Sequence, residues 1–167
     1  MGLMIGTLNL TPFMLKALLS KNSAAVILIG ALLPKEHVAR RSVVVNARPA
    51  DVFALIAGPS TWRGFKYEAL GADPLKWRET DTGGNAIVFE RIETVPPSRL
   101  VNRIADPTLP FGGTWIYELT ESGSGTELRI TENGEVYNPL FRFVSRFIMG
   151  HTATIEKYQR DVLAQFK

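Results

Sequence analysis

The sequence predicts an α+β fold. A seven-stranded antiparallel sheet wraps around a long C-terminal helix, two short helices follow the first strand, and an apolar helix precedes it. Three observations predict this. Short strand-like segments recur at hairpin spacing between His37 and Tyr137, separated by turn residues. Asn138-Pro139 then opens a stretch with a 3.6-residue apolar period that runs to the end of the chain. An uninterrupted apolar run, "AAVILIGALL" at 24–33, leads into the first strand.

The leader comes first. A helix needs about 20 apolar residues to cross a bilayer core. Residues 24–33 alone are too few, but a span from Leu15 to Leu33 becomes long enough if Lys16 and Lys21 snorkel to the headgroups at one end. The expected role of residues 1–36 is an N-terminal membrane anchor, single-pass or lying in the interface. Two other readings are a cleaved signal peptide, for which "GALLPKEH" offers no small-residue cleavage site, and an extra helix packed on the domain. Basic residues flank the run on both sides (Lys16 and Lys21; Lys35, Arg40 and Arg41), so charge favours neither orientation.

Residues 37–167 form the expected domain. The β-branched run Ser42–Val45 reads as the end of the first strand. Pro49 fits the first position of a helix, where its missing N–H is harmless, and Asp51 favours the positive end of the helix dipole. Val52, Phe53 and Ile56 share one apolar face, and Gly58-Pro59 ends the helix. Ser60 is placed to cap a second short turn carrying Trp62 and Phe65. Six more strands are expected at Lys66–Gly71, Leu75–Asp81, Ala86–Thr94, Arg99–Asp106, Gly113–Thr120 and Thr126–Tyr137, joined as one meander. On the long helix, Leu140, Phe143, Val144, Phe147, His151, Thr154, Ile155, Tyr158 and Val162 make one stripe, while Arg142, Arg146, Glu156, Lys157 and Arg160 face away.

Composition narrows the function classes. The chain has no cysteine, so disulfides, thiolate metal sites and thiol chemistry are excluded. The net charge is +3, but residues 1–37 hold Lys16, Lys21 and Lys35 against a single Glu36, which leaves the domain nearly neutral and without a nucleic-acid footprint. His37 and His151 are far apart and have no metal-ligand spacing. "GSG" at 123–125 is a hairpin turn rather than a phosphate loop, and no serine has a nucleophile-elbow context.

Two segments, "VARRSVVVNARPADVFALIAGPSTWRGF" (38–65) and "GTELRITENGEVYNPLFRFVSRFIMG" (125–150), carry a family resemblance. The chain from His37 to its end resembles the START-like superfamily, which includes Bet v 1 and the polyketide cyclase/dehydrase family. "ILIGALLPKEH" is similar to the leader of membrane-anchored bacterial members. The resemblance implies a helix-grip fold with a cavity between the curved sheet and the long helix, commonly for a lipid, sterol, polyketide or other apolar molecule. It brings no universal catalytic motif and no cofactor, and a shared fold does not transfer a substrate.

Several residues are candidates for that cavity. His151 is the polar ring in mid-stripe; it either meets a ligand or is satisfied by a neighbouring protein group. Glu132 shares strand parity with Leu128 and Ile130, which turns a carboxylate inward unless a bulge near Gly134 swings it out. Asn102, between Leu100 and Ile104, follows the same logic. Trp62, Trp115, Tyr117 and Phe147 complete the expected ligand-binding set. The leading expectation is binding of a small hydrophobic molecule at a membrane surface. The alternative is a cyclase, dehydratase or hydrolase that uses His151 and Glu132 as acid and base.

Overall fold

A computed structural model describes residues 23–72, 75–149 and 152–167. Helix α1 (Ser23–Leu32) leads into β1 (Glu36–Val45), followed by α2 (Pro49–Ala57) and a 3₁₀ turn (Ser60–Arg63). The meander then runs through β2 (Lys66–Ala72), β3 (Leu75–Thr80), β4 (Ala86–Val95), β5 (Arg99–Ile104), β6 (Phe111–Ser122) and β7 (Gly125–Val136). The strands form one sheet in the order β1-β7-β6-β5-β4-β3-β2, antiparallel throughout. This is the expected helix-grip architecture: consecutive hairpins, with β1 returning to pair with the last strand.

The sheet holds α4 (Ala153–Gln165) across its concave face. Ile155 and Val162 are fully excluded from water, as are Val45, Leu128 and Ile130 of β1 and β7. Each such side chain contributes about 1.5–3 kcal/mol through burial. Polar bonds fix the position of the helix. The Gln159 amide donates to the carbonyls of Arg41 (3.0 Å) and Leu128 (3.2 Å), and Arg41 reaches Glu156 at 3.1 Å.

The second segment opens as its sequence predicts. Asn138 Oδ1 accepts from the amides of Leu140 (2.9 Å) and Phe141 (3.4 Å), and Pro139 is the first helical residue. The segment is not one continuous α-helix, however. α3 (Pro139–Val144) passes into a π-helical turn at Ser145–Met149, and α4 starts at Ala153. A π turn holds more residues than an α turn, so the apolar stripe loses phase there. Val144 remains buried, but Phe147 is 60% exposed, with its ring tilted against that of Phe143 at 4.9 Å. Phe147, expected among the ligand-binding residues, thus faces outward here.

Arg142 also departs from expectation. It does not face solvent but is 7% exposed beneath α1. Its guanidinium donates to the carbonyls of Val136 (2.9 Å), Tyr137 (2.9 Å), Gly30 (3.2 Å), Ala31 (3.4 Å) and Leu33 (3.1 Å). A helix ends with unpaired carbonyls, and here one arginine satisfies those of α1. The helices touch closely: a Cβ on Gly30 would collide with the Pro139 carbonyl, so α1 can rest on α3 only with glycine there.

Candidate functional site

The concave face encloses a cavity between the sheet, α2 and α4. Its non-atom space is about 650 Å³ with the open mouth included, and about 60 Å³ is room for the centres of water-sized molecules. The enclosed part thus takes a few waters or one ring of a ligand, and a larger ligand would extend into the mouth.

Aromatic side chains make most of the wall. Tyr158 reaches down from α4 and meets Tyr117 at 5.5 Å, Trp62 at 5.8 Å and Trp115 at 5.9 Å between ring centroids. Trp77 stacks on Phe89 at 5.6 Å on the opposite side. The three tryptophans of the chain all line this one space. Burial pushes the Tyr158 hydroxyl up to about 12 and the Tyr117 hydroxyl well above its ordinary value. Both phenols therefore stay protonated at neutral pH.

The wall is not wholly apolar. Arg91 follows Ile87 and Phe89 in inward parity on β4, beside a register shift between Arg91 and Glu93 that bends the strand. Its Nη1 donates to the Ala57 carbonyl at the end of α2 (2.9 Å), its Nε to Asn102 Oδ1 (3.3 Å), and its guanidinium lies 5.2 Å from the Trp77 ring centroid. Burial lowers its pKa without bringing an arginine near neutrality. Glu79 accepts from Trp77 Nε1 at 2.9 Å.

Arg63 is the unusual member. Its side chain is 5% exposed, with the guanidinium 4.5 Å from the Tyr158 centroid and 5.0 Å from that of Phe65. Its nearest carboxylate, Asp161, is 3.6 Å from Nε and is held by Lys157 at 2.7 Å. Nε and Nη2 are buried and make no hydrogen bond, and neither does Ser60 Oγ. Ser60 therefore does not cap the 3₁₀ turn, as its position had suggested. A buried polar group without a partner costs about 1–3 kcal/mol, more when charged. All three unpartnered atoms belong to residues of the cavity wall.

The expected site residues separate into groups. Trp62, Asn102, Trp115 and Tyr117 line the cavity. Phe147 does not, and His151 lies outside the described residues. Glu132 faces inward with unbroken register past Gly134, so no bulge turns it out. It is not part of the cavity wall, however. Trp115 is its cross-strand neighbour on β6, and His37 Nε2 of β1 is 3.9 Å from its carboxylate. Burial raises the Glu132 pKa from 4.5 to about 7, against a smaller lowering effect of Trp115. Sequence reasoning missed Arg63, Arg91 and Glu79. Parity could have found two of them: Arg91 alternates with Phe89, and Glu79 with Trp77. Arg63 is in a turn, where no periodicity applies.

Residues 36–167 match the family described as polyketide cyclase/dehydrase and lipid transport, and the chain belongs to it. No curated protein matches the chain as a relative. Among solved structures, norcoclaurine synthase from Thalictrum flavum in complex with dopamine and hydroxybenzaldehyde superimposes with a TM-score of 0.58 at 12% identity, covering 78% of this chain and 86% of that one. An uncharacterised protein from Rhizobium leguminosarum gives 0.58 at 14% identity, covering 77% and 93%. A protein from Rhizobium loti gives 0.53 at 21% identity, covering 78% and 93%. Identities this low carry the fold and nothing finer.

Proposed function

We propose that the domain binds a small, largely apolar molecule in the cavity beneath α4, and that the leader holds it at a membrane surface. The aromatic cavity at the centre of the concave face carries the first part. A protein that only needed a core would fill that space, since interiors close to crystal density leave few voids. The family's description, which names polyketide chemistry and lipid transport, points to the same class of ligand. Binding ranks above acid/base catalysis because Glu132 is not in the cavity wall, where its cross-strand neighbour Trp115 stands instead.

The membrane part rests on α1. Ile27, Leu28, Ile29 and Leu32 are 44–80% exposed while Gly30 is buried against α3. No helix among the described residues is long and apolar enough to cross a membrane. An apolar helix face of this kind suits burial in the interfacial region.

Native mass spectrometry of the full chain purified from its own cells tests the ligand reading. A retained apolar molecule, whose removal changes tryptophan fluorescence, is the expected result; a ligand-free protein whose fluorescence responds to no apolar compound contradicts it. Flotation with phosphatidylcholine vesicles tests the membrane reading, which fails if the full chain stays at the bottom of the gradient.

A further inference from the structure

We infer that the π-helical turn is a second membrane contact. With α1 in the lipid interface, the Phe147 ring enters the acyl boundary near it, Arg146 meets lipid phosphates, and the domain is held on the bilayer in one orientation. This rests on the membrane reading above and names the protein surface that faces the lipid.

α1 is apolar all round. After Ser23 it carries no polar side chain, and of residues 24–32 Gly30 alone is buried. A helix of that kind belongs in a core or in lipid, and the domain offers it one line of contact. Residues 1–35 hold Lys16, Lys21 and Lys35 and no acidic residue, so the charge of the leader suits lipid phosphates.

α1 is not a loose tether. The carbonyls of Gly30, Ala31 and Leu33 accept from Arg142 of α3 at 3.2, 3.4 and 3.1 Å, and Gly30 lies against the Pro139 backbone. The turn that follows α3 therefore keeps a fixed position relative to α1. Arg146 and Phe147 are one helical turn beyond Arg142 and Phe143, roughly 5.4 Å along the axis. Both are exposed, Phe147 by 60%. The π turn puts the ring there, since unbroken α-helical phase would carry it into the stripe with Val144. A single exposed ring is ordinary by itself. This one stands close to the bare apolar surface of α1 with a cation on its flank, which is the pattern of an interfacial segment.

The chain has no cysteine, so Phe147→Cys and Val44→Cys each take a single environment-sensitive NBD label. Val44 is the control, 57% exposed at the end of β1 far from α1. Both labelled full-length chains are mixed with vesicles of equal parts phosphatidylcholine and phosphatidylglycerol. The label at position 147 should brighten at least about twofold and be quenched by spin-labelled phosphatidylcholine, and the label at position 44 should do neither. In flotation with the same vesicles, Phe147→Ser should lose about threefold or more of its bound fraction at an unchanged melting temperature. Arg146→Glu should weaken binding to these vesicles more than to pure phosphatidylcholine. If the unaltered chain floats but the label at 147 does not respond, or Phe147→Ser floats equally well, α1 alone makes the contact: the inference falls and the membrane reading stands. Equal responses at 147 and 44 overturn the single orientation. If the unaltered chain ignores vesicles, both readings fall, and a dimer that is lost in Phe147→Ser would assign the face to a second copy instead.

Discussion

Arg142 and Arg63 are both buried arginines, yet they are held in opposite ways. Arg142 gives its donors to five backbone carbonyls of α1 and the β7–α3 connection. Arg63 leaves Nε and Nη2 without a hydrogen bond, on the wall of a cavity. Burial alone does not distinguish a structural charge from a functional one; the state of the donors does. A satisfied guanidinium holds two parts of the fold together. Arg63 is instead held by the Asp161 carboxylate and by the faces of Tyr158 and Phe65, with little directional bonding.

The largest effect should come from removing the satisfied arginine. Arg142→Met leaves the last carbonyls of α1 and those of Val136 and Tyr137 without their donor. A loss of about 3 kcal/mol or more is expected, given about 1–3 kcal/mol for each buried group left unpaired. Urea unfolding measures it, and hydrogen exchange should show residues 24–33 released first. A loss under 1 kcal/mol would mean that α1 is not held by this residue.

Glu132 sharpens the comparison as a buried charge of the opposite sign. Its folded pKa of about 7 lies above its ordinary 4.5, so between those values the folded protein keeps a proton that the unfolded chain has released. Stability should therefore fall as pH rises from 4.5 to 7 and level off above, by up to about 3 kcal/mol in all. Glu132→Gln should remove most of that slope, with His37 facing the same position from β1 in both proteins. Melting temperatures of the two proteins at pH 4 and pH 8 check it: the variant should gain at pH 8 and not at pH 4.

Gly30→Ala probes the α1 contact without touching the arginine. The new methyl group would collide with the Pro139 backbone, and backbone cannot step aside as a side chain can. A loss of about 1–3 kcal/mol is expected, as for overpacking elsewhere. It should be confined to α1, with the exchange protection of β6 and β7 unchanged.

Much of this was legible in the chain. The Asn138-Pro139 cap, the hairpin meander and the inward parity of Glu132 all rest on local rules that the structure obeys. The stripe on the last helix failed at Phe147 because a π turn shifts phase, and periodicity counts cannot anticipate one. Arg142 was unreadable for another reason: its partners are carbonyls, which carry no sequence signal, and one of them is 112 residues away. Arg63 is hidden in a turn, and its significance lies in hydrogen bonds it does not make. Arg91 and Glu79 were readable, because the parity rule applied to Glu132 applies equally to β3 and β4.

The smallest expected effect on stability is the most telling. Arg63→Met should unfold in urea within about 1 kcal/mol of the unaltered protein, since it removes a buried guanidinium with two unbonded nitrogens, Asp161 keeps Lys157, and methionine refills the volume. The affinity for an apolar compound, followed by tryptophan fluorescence, should fall in the same variant, because Arg63 lines the cavity. A loss of 3 kcal/mol or more, with that affinity unchanged, would show that Arg63 is a structural residue like Arg142 and would contradict the account.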